Sequence, residues 1–163
     1  MLNLVLVEPE IPPNTGNIAR LCHATSTRLH LVEPLGFRLD EQSLRRAGMD
    51  YWHECDICQW KDWNTFLARH PTARLHLFTT KATRSLWEAQ FSDGDFLVFG
   101  RESRGLPESL LRVHPDANLR IPMERRTRSL NLACSAGIGL YEALRQTGWK
   151  PSEFSGDREK TAS

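Results

Sequence analysis

RIPMERRTRSLNLACSAGIGLYEALR, residues 120–145, holds three physical parts in succession. An apolar segment ends at Pro122, which donates no ladder hydrogen bond and so marks a strand end. A linker dense in guanidinium groups follows, with Arg125, Arg126 and Arg128. Ser129 then suits a helix N-cap, because its hydroxyl oxygen accepts from the open amides of a first turn. The helix is expected over about Leu130–Gln146 and to stop at Gly148, with Pro151 beyond. A strand end, a cationic loop and a helix N-terminus together imply an anion or nucleotide site.

The rest of the chain repeats the strand-then-helix rhythm. Residues 2–7 form a nearly continuous apolar run, as in a buried parallel strand. Further strands are expected at 28–34, 54–59, 74–80, 95–100 and 118–122. Helices are expected from Asn14, as its cap, to Thr25, over 40–47 and over 62–69. The pattern predicts a single α/β domain, its largely parallel sheet covered by helices on both faces. Ligands of such sheets sit at the carboxyl ends of strands.

The chain's 163 residues suit one domain, with 40% hydrophobic and 25% charged residues. No apolar run reaches the roughly 20 residues of a membrane span, and the start lacks the basic-then-apolar order of a signal peptide. A cytoplasmic location is the expectation. Seventeen of the 21 Lys and Arg residues are arginine, the cation whose fork matches phosphate oxygens in pairs. Cys55 and Cys58 form a CxxC beside His53, but no second ligand pair completes a zinc site. Reduced thiols and no metal are therefore expected.

Two other stretches end strands, FTTK at 78–81 and FGRESRGLP at 99–107, and NTGNIAR at 14–20 opens a helix near a strand's carboxyl end. Gly100 and Gly105 bracket a loop that can turn sharply, and Pro107 is placed to start a helix. No GxGxxG, GxxxxGK[ST] or GxSxG motif is present, which removes the common nucleotide and hydrolase sites.

NTGNIAR, FGRESRGLP and RIPM…RSLNL stand in the order of the three motifs of the SPOUT RNA methyltransferases, which the chain resembles from Met1 to about Trp149. EPEIPPNTGNIARLC and LRRAGMDYW extend the likeness to the family's minimal bacterial type, which acts on tRNA. The resemblance implies a SPOUT domain over 1–150 with a C-terminal trefoil knot, and a polar tail over 151–163. It implies S-adenosylmethionine as cofactor, held at Phe78, Gly100, Ile121, Ser129 and Leu130. Phe78 replaces a smaller aliphatic residue of that pattern. The implied reaction is methyl transfer to the ribose 2′-hydroxyl of the wobble nucleotide, position 34, of tRNA.

Arg20, Ser129 and Asn131 map to the catalytic positions. Asn14, Arg20 and Glu102, with the arginines at 125, 126 and 128, map to contacts with the anticodon stem-loop. Arginine rarely deprotonates. Arg20 is therefore read as an electrostatic clamp on phosphate and developing alkoxide. At Ala133 and Cys134 the relatives carry a serine and an asparagine. The last helix has two apolar stripes, Ala133, Gly137, Leu140 and Leu144, and Cys134, Ile138 and Tyr141. With the family's habit, these predict a two-fold homodimer with Arg20 facing the other chain's cofactor. A ribosomal-RNA methyltransferase and a non-catalytic RNA-binding factor of the same fold remain as other readings.

Overall fold

The structure, a computed structural model, describes residues 1–39 and 52–152. The helix expected over 40–47, most of LRRAGMDYW and nearly all of the tail lie outside the described residues.

Apolar runs make the sheet. Asn3–Val7 forms β1, Arg28–Val32 β2, Ile57–Trp60 β3, Leu75–Phe78 β4, Phe96–Phe99 β5 and Asn118–Leu119 β6. Among the described residues the strand order is β3-β2-β1-β5-β4-β6, and every pairing is parallel. Leu4 pairs with Leu29 on one side and Leu97 on the other. From β1 the chain winds outward through β2 to β3, then crosses to β4, steps inward to β5 beside β1 and returns outward to β6, so the winding reverses between β1 and β5. A crevice opens beyond strand ends at such a reversal.

The period of two sends alternate side chains to opposite faces. Leu4, Leu6, Leu29, Leu31, Leu97 and Phe99 meet α1 (Pro12–Ala24) and α4 (Leu132–Thr147) through Ile18, Cys22, Ala136 and Leu140. Val5, Val7, Val32, Leu77 and Val98 meet α2 (Trp63–Arg69) and α3 (Glu108–Val113) through Phe66, Leu110 and Leu111. Helices thus cover both faces, as expected. Each large aliphatic side chain so buried stabilises by about 1.5–3 kcal/mol.

Several element ends differ from expectation. Helix α1 begins at Pro12, with prolines in its first two positions, where fixed φ and a missing amide cost nothing. Asn14 is therefore inside the first turn and does not cap it; Ile11 is the cap residue, without a side-chain bond. Helix α4 begins at Leu132, and its cap is Asn131 instead of Ser129. Gly148 ends it with φ +67°, as the sequence implied. Strand β6 stops at Leu119, three residues before Pro122. The Arg120 amide turns instead to the carbonyl of Arg84, 2.8 Å away. Residues 52–54 form a 3-10 turn, so β3 starts at Ile57 and not at 54.

Phe78 stacks on Phe99 at 4.4 Å between ring centres. Gly139 of α4 lies directly against this pair, where a Cβ would come within 2.8 Å of the Phe78 ring. The larger residue at 78 is accommodated by the absence of a side chain at 139.

Candidate active site

Beyond β4 and β5 lies an open cleft of about 610 Å³. It is lined by Asn14, Phe78, Gly100, Glu102, Ile121, Arg128, Ser129, Leu130 and Asn131, which nine sequence-derived site residues thereby share one wall system. Phe78 and Phe99 supply apolar floor, together with Leu106, Ile121 and Leu130. Arg20, Arg125 and Arg126 are not part of the lining. Arg20 sits on the exposed side of α1. Arg125 and Arg126 project from an exposed turn, closed where the Thr127 amide donates to the Glu124 carbonyl at 2.9 Å.

The three motifs are joined by a chain of hydrogen bonds. Asn131 Oδ1 accepts from the Ala133 and Cys134 amides at 2.8 and 3.3 Å, which caps α4. Asn131 Nδ2 donates to Asn14 Oδ1 at 3.0 Å, and Asn14 Nδ2 donates to Glu102 Oε1 at 3.1 Å. Glu102 also accepts from the Glu10 amide at 2.8 Å and the Ile11 amide at 3.2 Å. It thereby serves the start of α1, which has no side-chain cap of its own. The bond is answered from the other loop: Glu10 accepts from the Ser103 amide at 3.0 Å and its hydroxyl at 2.9 Å. Arg101 pairs with Glu8 beside them. The cap at Asn131 uses the main chain of Ala133 and Cys134, so it survives their departure from the family pattern.

Gly100 is required by close approach. A Cβ there would lie 2.1 Å from the Gly105 carbonyl carbon, while Gly105 itself turns at φ +70°. The loop folds back through an amide bond from Gly105 to the Arg101 carbonyl at 2.8 Å.

Sequence reasoning did not assign Lys81, although it picked out FTTK as a strand end. Lys81 lines the cleft and donates to Glu108 Oε1 at 2.5 Å. The ammonium, with Arg112 on the other oxygen, holds the Glu108 carboxyl below its ordinary range. Glu10 also escaped notice, since nothing local marks a glutamate whose partner is 93 residues away. Among the described residues no group of His, Cys, Asp and Glu could hold a metal ion, and none of the four cysteines is in a disulfide. No described helix is long and apolar enough to cross a membrane.

Comparison with known proteins gives four findings. The model of the SpoU rRNA Methylase family matches residues 1–141. A tRNA (cytidine(34)-2'-O)-methyltransferase of Saccharophagus degradans is 48% identical over 154 residues, which is 94% of this chain and 100% of that protein. A solved structure from work on the 2-OH methylation of C/U34 on tRNA is 48% identical, with a TM-score of 0.83 over 90% of this chain and 95% of that one. An AdoMet-bound rRNA methyltransferase from Sinorhizobium meliloti is 25% identical with a TM-score of 0.75, and the match spans 56% of that longer chain.

Proposed function

The chain belongs to the SpoU rRNA methylase family, and from that premise we propose that it is a tRNA ribose 2′-O-methyltransferase acting on nucleotide 34, cytidine or a modified uridine. One observation carries the choice of RNA. The relative named for cytidine 34 is matched along its whole length at 48% identity, whereas the rRNA enzyme shares 25% and only 56% of its length. The cytoplasm, where tRNA is modified, is the proposed location.

S-adenosylmethionine is the proposed methyl donor; when bound it supplies an electrophilic methyl on a sulfonium. The cleft fits such a molecule: its volume is in the range of small-ligand sites, and its lining joins apolar side chains to polar and charged ones. Phe78, Gly100, Ile121, Ser129 and Leu130 would hold it. Asn131 keeps one amide hydrogen beyond its bond to Asn14, and that hydrogen is available to the ribose. The Ser129 hydroxyl opens on the same cleft. Arg20 clamps the neighbouring phosphate and stabilises charge that develops on the 2′-oxygen. Glu102 has its oxygens taken by the Glu10 and Ile11 amides and by Asn14, which suits positioning and not proton removal. The ribose proton then leaves to water or phosphate. Arg125, Arg126 and Arg128 meet the anticodon stem-loop backbone.

The active unit is proposed to be an isologous homodimer. Two features support it. Arg20 lies off its own chain's cleft, and Cys134, Ile138 and Tyr141 form an exposed stripe on α4. Pairing the stripes would bring Arg20 to the other copy's cofactor. The trefoil knot belongs to the same proposal; the tight refolding at Gly100 and the bonds tying 84–86 to Arg120 are compatible with it. Tracing the closed backbone of a crystal structure tests the knot.

The activity is tested by incubating the protein with labelled S-adenosylmethionine and bulk tRNA, then digesting to nucleosides. Label is expected in 2′-O-methylcytidine and 2′-O-methyluridine. Label on a base alone, or in ribosomal RNA alone, would overturn the assignment.

A further inference from the structure

We propose that Lys81 is an RNA-phosphate ligand at the mouth of the cleft, and that Glu108 holds it in reserve until RNA exchanges for the carboxylate. The inference rests on the tRNA reading above and adds a contact that reading does not contain.

Four cations line the cleft: Lys81, Arg101, Arg104 and Arg128. Arg101 is committed to Glu8, a half-buried pair that also ties two loops together. Lys81 is committed more loosely. Its side chain and that of Glu108 are 59% and 57% exposed, the regime in which solvent screens an ion pair and leaves it a small net contribution. Exchange would not strand the carboxylate, because Arg112 already donates to its other oxygen at 3.1 Å. The backbone under Lys81 is fixed: its amide donates to Thr79 Oγ1 at 3.2 Å, and the Thr79 amide donates to the Leu119 carbonyl at 2.9 Å. An anchored main chain with a long, weakly held ammonium can move between two anions without moving the cleft. Among the Lys and Arg residues that line the cleft it is the sole lysine, a compact point charge on a flexible stem.

The cofactor's own carboxylate is a second anion that an ammonium could hold. Exposure decides for RNA, since the ammonium stands at the solvent-facing mouth and the apolar floor is elsewhere.

The test is a double-mutant cycle on the full chain, reading tRNA affinity against salt and cofactor affinity by calorimetry. Lys81→Ala is expected to weaken tRNA binding several-fold and flatten the salt slope by about 0.7–0.9, one phosphate's worth. Lys81→Arg should retain most of that slope. Glu108→Gln should tighten tRNA binding by up to about five-fold, and do so only when Lys81 is present. Equal tightening by Glu108→Gln in the Lys81→Ala background would overturn the exchange, leaving simple loss of a repelling charge. An unchanged salt slope in Lys81→Ala, or weaker cofactor binding in its place, would overturn the phosphate assignment. Wild-type protein that neither binds nor methylates tRNA would instead defeat the underlying functional reading, which separates the two failures.

Discussion

At the scale of single residues, chemistry and scaffold divide cleanly. Arg20 is on the surface of α1, while Asn14 is buried one and a half turns earlier and spends its amide on Glu102 and Asn131. Arg20→Lys is expected to lower kcat on the order of a hundredfold, the loss typical of one aimed donor, with cofactor affinity unchanged in calorimetry. Near-full turnover with intact tRNA affinity would refute a role for the guanidinium fork. Asn131→Ala removes both the α4 cap and the link to Asn14. It should cost about 1 kcal/mol for the cap and lower Tm by roughly 2–4 °C. The sequence made most of these residues visible as types in motifs. It did not show which of Ser129 and Asn131 caps the helix, because both are good caps and the deciding partner, Asn14, is 117 residues away.

At the scale of elements, legibility follows apolar continuity. The runs of β1, β2 and β5 are plain because both faces of a central parallel strand are buried. Strand β6 was overextended because its two residues are too few to carry a pattern, and its end is set by a bond to Arg84. The start of α1 at Pro12 is hidden in the sequence because the prolines before Asn14 read as loop, although proline is favoured in a first turn. The packing of α4 on the sheet yields a sharper expectation. Gly139→Ala should destabilise by about 1–3 kcal/mol, since the new methyl meets the Phe78 ring. Phe78→Leu should rescue most of that loss, and denaturant midpoints of the two single variants and the double variant measure the coupling. Additive losses would show that the two residues do not share the space.

At the scale of the whole molecule, pH reaches the core through histidine. His30 is buried among Trp60, Phe66, His70 and Phe96. Trp60 Nε1 donates to His30 Nδ1 at 3.0 Å, which leaves Nε2 to donate to Asn3 at 3.1 Å and fixes a neutral ring. Burial first, then the neighbouring His70 and Arg28, push its pKa down to about 4 from 6.5. Above pH 6.5 the ring is neutral in both folded and unfolded chains, and its contribution to stability is complete. As pH falls from 6.5 toward 4 the unfolded chain binds the proton first, so stability declines, by up to about 3 kcal/mol. His76, lowered chiefly by burial although Asp95 raises it, acts in the same direction. Urea unfolding at pH 7 and pH 4.5 should show the decline, and His30→Phe should make it shallower. An equal decline in that variant would assign the effect elsewhere. The parallel sheet and its two-sided cover are readable from the strand-helix rhythm, but the exposed stripe of Cys134, Ile138 and Tyr141 is readable only as a helix apolar on two sides. Sedimentation of the wild type and of Tyr141→Glu, at micromolar concentration, should give a dimer and a monomer respectively.

The hydrogen-bonded path from α4 to α1 has a direction. Every side-chain amide on it gives its hydrogens toward Glu102 and takes them from the side of α4. Neither amide can be turned over without setting oxygen against oxygen. Asn131→Asp keeps the shape and the cap, since aspartate caps helices as well as asparagine does, but replaces the donor with a second anionic acceptor. It should nevertheless lower Tm at least as much as Asn131→Ala. Aspartate has no hydrogen to pass to Asn14, and if Asn14 rotates to supply one, it withdraws its own from Glu102. A site joined this way tolerates changes of size at its edges better than a reversal of one dipole in its middle.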